Sequence, residues 1–171
     1  MNILRRSIAK AAVCMMAFLV STAVPAGVLE NFAENKIVDA VFRAQALGAP
    51  ATWYVGLHTD ACTEGAAETE VSGGSYARVA VTAGLTQWAG TQSAGSTTAS
   101  SGTNGTTSNN ATITFPQSAA AWGTLTSVGL YDASTAGNEW ICIDLTSTFN
   151  VSGAGVTVSF PAGSLQFQID N

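Results

Sequence analysis

The sequence predicts a mainly β protein: a β-sandwich or jelly-roll-like antiparallel domain with one N-terminal α-helix. Three observations carry this expectation. From Thr52 onward, apolar residues recur with period two in segment after segment, which lets one side of each extended segment be buried. Turn formers separate those segments at regular spacing. A single stretch, Leu29–Leu47, shows helical spacing instead.

Residues 1–26 stand apart. Arg5, Arg6 and Lys10 precede an uninterrupted apolar run, Ala11–Val20, and then Ser21-Thr-Ala-Val-Pro-Ala-Gly27. That is the layout of a secretory signal peptide cleaved after Ala26. The alternative is a mis-assigned extension, with translation starting at Met15 or Met16. The run is short of the ~20 apolar residues that suit a membrane-spanning helix. Residues 27–171 are then expected to form a single domain.

That domain is poor in charge. Only 10% of the chain is Asp, Glu, Lys or Arg, against roughly 25% in ordinary soluble domains. Beyond residue 26, Lys36, Arg43 and Arg78 face eleven acids, a net charge of about −8. Such a chain lacks the positive field that holds phosphates, which argues against nucleic acid as a partner.

The expected helix covers about residues 29–47. Leu29, Ala33, Ile37, Ala40, Val41 and Ala44 form an apolar stripe. Glu30 and Glu34 near its start and Arg43 near its end suit the helix dipole, and Gly48 and Pro50 stop it. The expected strands follow. Trp53, Val55 and Leu57 alternate with Tyr54, Gly56 and His58. Ala77, Val79 and Val81 form the next, then Ile113 and Phe115. In the stretch Trp122–Leu145, two extended segments flank Asp132-Ala-Ser-Thr-Ala-Gly-Asn138, which reads as a β-hairpin. Val128 and Leu130 are placed on one side of its first strand, and Leu125 and Tyr131 on the other. Val156, Val158 and Phe160, and then Leu165, Phe167 and Ile169, complete at least seven strands.

Residues 90–110 are low-complexity Gly, Ser, Thr and Asn with no large apolar side chain. They read as a long flexible loop. It is either a projecting tip or a tolerated insertion.

Catalytic chemistry has few handles. His58 is the only histidine, so a Ser–His–acid triad would have to use it. No nucleophile elbow supports that, and a hydrogen-bonded residue at a strand edge is the simpler reading. Glu64, Glu68 and Glu70 lack the Asp/Asn alternation of a calcium loop and read as a solvated acidic loop, with a weak surface calcium site as the alternative. Asp132, Glu139 and Asp144 are the carboxylates a glycosidase would draw on, yet Asp132 and Glu139 flank a turn. No catalytic, cofactor or metal residue is assigned. Cys62 and Cys142 would be permitted to pair if the chain is exported and are free thiols otherwise. Trp53, Tyr54, Trp122, Tyr131 and Trp140 are the expected packing or interface anchors.

The order of motifs resembles a known family. Phe32-Ala-Glu-Asn-Lys-Ile-Val-Asp-Ala-Val-Phe-Arg43 is followed by Ala49-Pro-Ala-Thr-Trp-Tyr-Val-Gly-Leu-His-Thr59. Then come Glu70-Val-Ser-Gly-Gly-Ser-Tyr-Ala-Arg-Val-Ala-Val81, Ile113–Ala133 and Phe160-Pro-Ala-Gly-Ser-Leu165. This series resembles small tailed-bacteriophage virion proteins often labelled tail fibre proteins. The resemblance implies a non-enzymatic structural protein of a phage or prophage particle: a tail fibre, tail adaptor or capsid decoration subunit. Its partners would be other virion proteins and copies of itself, with a trimer the expectation for fibre and decoration proteins. The rival is an exported adhesin or carbohydrate-binding module, secreted or periplasmic, with a host-surface glycan as partner.

Overall fold

The computed structural model describes residues 27–169 and the backbone of a short strand, β1 (Met15–Phe18). Apart from that strand, the expected signal segment lies outside the described residues. The elements that follow are β2 (Val28–Leu29), α1 (Asn31–Phe42), β3 (Thr52–His58), β4 (Val79–Thr82), β5 (Thr106–Ser108), β6 (Ile113–Thr114), β7 (Gly123–Tyr131), β8 (Glu139–Val151), β9 (Val156–Phe160) and β10 (Gln166–Gln168). The protein is mainly β, with one helix. Five strands form an antiparallel sheet in the order β2-β8-β7-β3-β4. Opposite it lie β9, paired antiparallel to β6 and parallel to β1, and the antiparallel pair β5–β10.

The core fills the space between these layers. Val55, Leu57, Leu125, Val128, Leu130 and Ile143 come from the large sheet. Ile113, Phe115, Val158, Phe160, Leu165 and Phe167 meet them from the other side. Removing a fully buried Leu or Phe side chain from water is worth about 1.5–3 kcal/mol, so this seam is the main stabilising feature of the fold. Trp122 belongs to the same core, and its indole N–H donates to the Gly74 carbonyl at 3.0 Å.

The β7–β8 hairpin forms as its alternation requires. Asp132 closes its turn by accepting hydrogen bonds from the Asn138 backbone N–H (2.7 Å) and side-chain amide (2.8 Å). One placement is corrected. Leu125 belongs to the same core as Val128 and Leu130. The register against β8 shifts between Leu125 and Ser127, and a bulge of this kind moves one side chain to the opposite face.

The helix is shorter than its apolar pattern suggests. Leu29 is drawn into β2, opposite Ile141. The other end stops before Gly48 because Ala44 takes a left-handed conformation, φ 54°, and the N–H groups of Arg43 and Gln45 both turn back to the Asp39 carbonyl. Only Ala33 of the stripe is buried. Phe32 anchors the helix by an edge contact with Trp140, ring centres 5.3 Å apart.

The Gly/Ser/Thr segment is corrected too. Thr106–Ser108 is a strand, and Asn109 is 1% exposed. The Asn109 side chain donates to the carbonyls of Ala111, Phe160 and Pro161 and accepts from the Leu165 N–H at 2.9 Å. Upstream, the Gln92 amide holds Thr98 and Ser101, and Ser96 bonds Gly90. Polar stitching of backbone groups replaces the apolar burial that the composition cannot supply. Asn109→Leu therefore leaves several buried backbone groups unpaired. It is expected to cost about 3 kcal/mol, read as a lowered urea midpoint with an unchanged slope.

Candidate functional site

The outer face of the large sheet holds the unusual chemistry. Gly56 and Gly129 stand opposite each other in the β3–β7 register. A Cβ on Gly56 would lie 2.8 Å from the Tyr131 ring, and one on Gly129 would lie 2.7 Å from His58 Cε1. The two glycines thus make the hollow in which His58, Tyr131 and Glu139 pack beside the backbone.

His58 is wholly buried, not at an exposed edge. Its Nδ1 lies 3.0 Å from Ser127 Oγ, and its Nε2 lies 2.6 Å from Tyr131 Oη. Tyr131 Oη in turn lies 2.9 Å from Glu139 Oε2. Ser127 Oγ donates to the Asp60 carbonyl at 2.7 Å, so it accepts from His58 Nδ1–H. The single Tyr131 hydroxyl proton goes to Glu139 Oε2. Burial pushes His58 below its ordinary pKa. Glu139 is pushed up to about 8 by burial and by the carboxylates of Glu68 and Glu30, against the lowering effect of the Tyr131 bond. Burial, with Glu139 next to it, likewise raises Tyr131.

Serine, histidine and acid therefore stand in one chain, but not as a triad open to substrate. Ser127 is 0% exposed, its proton is committed to a carbonyl, and the acid is reached through a tyrosine. The relay ties β3, β7 and β8 together.

A second arrangement borders it. Arg78 makes a two-pronged contact with Glu70, Nε to Oε1 and Nη2 to Oε2, each 2.7 Å. Its Nη1 donates to the carbonyls of Ala133 and Ala136 at the hairpin turn. Its guanidinium lies 3.4 Å from the Tyr131 ring centre, a cation–π geometry. Burial alone would raise Glu70, but hydrogen bonds from Arg78 and Tyr76 hold it below the usual carboxylate range. Glu64 is exposed, but Glu68 and Glu70 are not parts of a freely solvated loop. Glu68 Oε1 accepts from the Thr63 N–H at 2.8 Å, and its Oε2 is buried.

Glu30, Glu68 and Glu139 line one depression of about 440 Å³. Glu30 immediately precedes α1, but its side chain does not cap the helix. Burial and the neighbouring Glu68 push it up to about 7. The grouping joins residues 30, 68 and 139, and no local motif announces it. The absence of a capping Ser, Thr or Asp at the helix start was the one local sign.

The three carboxylates of the glycosidase reading do separate jobs. Asp132 closes the hairpin turn, Asp144 Oδ1 accepts the Cys62 N–H at 2.8 Å, and Glu139 belongs to the relay. Cys62 and Cys142 are joined, with Cα atoms 5.7 Å apart. Trp122, Tyr131 and Trp140 are buried, whereas Trp53 and Tyr54 are half-buried.

The fold is that of a small, mainly β protein with sandwich-like antiparallel sheets and one helix. A family model described as podophage GP4 fiber I protein gp80 matches residues 29–168. The chain belongs to that family. It is a phage structural protein of the virion, and its partners are other virion proteins. No curated protein matches the chain.

Proposed function

We propose that the protein is a fibre-type subunit that works by assembly, without catalytic turnover. It docks on neighbouring copies of itself through α1. The observation that carries this is the outer face of the helix. Val38 is 48% exposed, Val41 66% and Phe42 80%. These three occupy i, i+3 and i+4 positions, which form one continuous stripe. Leu47 extends it beyond the helix end. An apolar stripe on the surface of a chain with so few charges is an interface signature. The family's fibre description supports the same reading, and a closed ring of copies, such as a trimer, covers the stripe on every subunit.

A host glycan is less well served. The cavity of about 470 Å³ that Trp53 and Trp88 share with Leu85, Phe167 and Ile169 offers ring faces but few partners for sugar hydroxyls.

The test is the mass of the purified protein in solution, measured by light scattering with Phe42→Asp and Val41→Asp beside it. The wild type is expected to be an oligomer. Each variant should weaken association by about 10- to 100-fold, the equivalent of losing one buried apolar side chain per contact. A wild type that stays monomeric at high concentration, or variants that associate as before, would sink the proposal.

A further inference from the structure

We infer that α1 of one copy docks in the apolar hollow lined by Trp53, Trp88 and Phe167 of the next copy, with Phe42 as the inserted side chain. The inference rests on the assembly reading and adds the surface that receives the helix. Association is then head to tail, because the knob and its socket are different patches of the same chain.

Exposed large apolar side chains occupy only two places among the described residues. One is the α1 stripe with Leu47. The other holds Leu85, 53% exposed, and Ile169, 60% exposed, which both line the hollow of about 470 Å³. The first place is convex. α1 ends at Phe42, and the left-handed Ala44 turns the chain just beyond it, so Phe42 stands at the helix tip. The second place is concave. Ala83, Gly84, Ala89, Gly90 and Gly105 put little or no side chain into it, and that leaves the room. Leu130 and Phe167 on its lining belong to the core, so an inserted ring continues the core of the neighbouring copy. An aromatic anchor in a desolvated pocket is the arrangement that concentrates binding energy.

Charge points to the same occupant. No Asp, Glu, Lys or Arg lines the hollow, so it offers nothing to a charged segment. The charges flanking Phe42 cancel within the helix, with Arg43 Nη1 2.8 Å from Asp39 Oδ1. Lys36 lies over the Phe32 ring, 5.5 Å from its centre. The knob therefore enters an uncharged socket without stranding a lone charge there. Two copies joined in this way leave one helix and one hollow free, so assembly runs on to a closed ring or an open filament. Helix-on-helix packing, in contrast, leaves every hollow empty.

The test is sedimentation velocity on the full chain. Phe42→Asp lacks the knob, and Leu85→Asp and Ile169→Asp lack the socket. Leu85 and Ile169 are exposed, so these changes leave the core intact; melting at low concentration checks folding, and Ile169→Asp replaces Leu85→Asp if the latter does not fold. Each socket variant should weaken association by about 10- to 100-fold, as Phe42→Asp does. An equimolar mixture of Phe42→Asp and Leu85→Asp should form a complex of two chains and nothing larger, because one intact knob meets one intact socket. Tryptophan emission of the wild type should also shift to the blue on concentration, since association dries Trp53 and Trp88, and that of Phe42→Asp should not. Socket variants that associate like the wild type while Phe42→Asp does not would keep α1 as the interface and overturn the hollow as its receptor. A mixture that stays monomeric where the wild type associates overturns it too. A monomeric wild type sinks the assembly reading and this inference together.

Discussion

Arg78→Met is expected to destabilise the protein by about 3 kcal/mol, the low end of the cost of leaving a partner's charge uncompensated, because Glu70 is only partly buried. The Arg78 side chain is 6% exposed and that of Glu70 is 26% exposed, so water takes over only part of the lost pairing. The same substitution frees the Ala133 and Ala136 carbonyls that hold the hairpin turn against β4 and uncovers the Tyr131 ring. Arg78→Lys keeps the charge but loses the two-pronged geometry, and an intermediate cost follows. Urea unfolding at neutral pH measures both. A Met variant within about 0.5 kcal/mol of the wild type, the usual scatter of a surface change, would show that the contact carries no stability.

The pH dependence has a definite sign. Glu70 is held below its ordinary value of 4.5. A group whose folded pKa is depressed contributes fully above its unfolded pKa and loses the contribution as pH falls through the folded one. The gap between wild type and Arg78→Met should therefore narrow on acidification, first as the variant's unpaired Glu70, raised by burial, takes up its proton, and then as pH falls through the depressed value in the wild type. A gap that widens on acidification would mean that Glu70 is not the charge left behind.

Much of this fold was legible from period-two alternation, because the residues that alternate are those with one dry side. Val55 and Leu57, Val128 and Leu130, and Val158 and Phe160 all announce themselves this way. Leu125 did not, since one bulge reverses its face and nothing in Leu-Thr-Ser marks the bulge. The helix shows a different limit. Its apolar stripe was visible, but a stripe does not say whether the surface that covers it belongs to the same chain. Ala33 is covered from within, and Ile37 and Val41 are not. Asn109 was hidden in low complexity, where its composition matches its neighbours and only its position makes it a hub. The polar hollow is the hardest case. It rests on Gly56 facing Gly129, and on Glu30, Glu68 and Glu139 meeting across long separations. The usable hint was that each glycine lies two residues before a polar aromatic residue, His58 or Tyr131.

Reduction of the Cys62–Cys142 bond is expected to cost about 4.5 kcal/mol, the chain-entropy value for residues 80 apart in sequence. For a domain of this size that lowers the melting temperature by about 10 °C. The bond pins the 59–70 segment to β8 beside the Cys62 N–H to Asp144 contact, so its loss should be felt first in that segment. Hydrogen exchange at Thr63 and Thr69, whose N–H groups are held by Glu68 and Asp60, should rise before exchange in β7 does. Cys62→Ala removes the bond without opening a core cavity at Cys142 and should reproduce the shift without reductant. The intact mass decides whether the bond exists in the native protein. A gain of two hydrogens on reduction means that it formed in an oxidising compartment, and a simultaneous loss of residues 1–26 would mean export. An unchanged mass with two reactive thiols would mean that the subunit matures in a reducing cytoplasm. Its stability must then come from Arg78, Asn109 and the core alone, and reductant should leave the melting temperature unmoved.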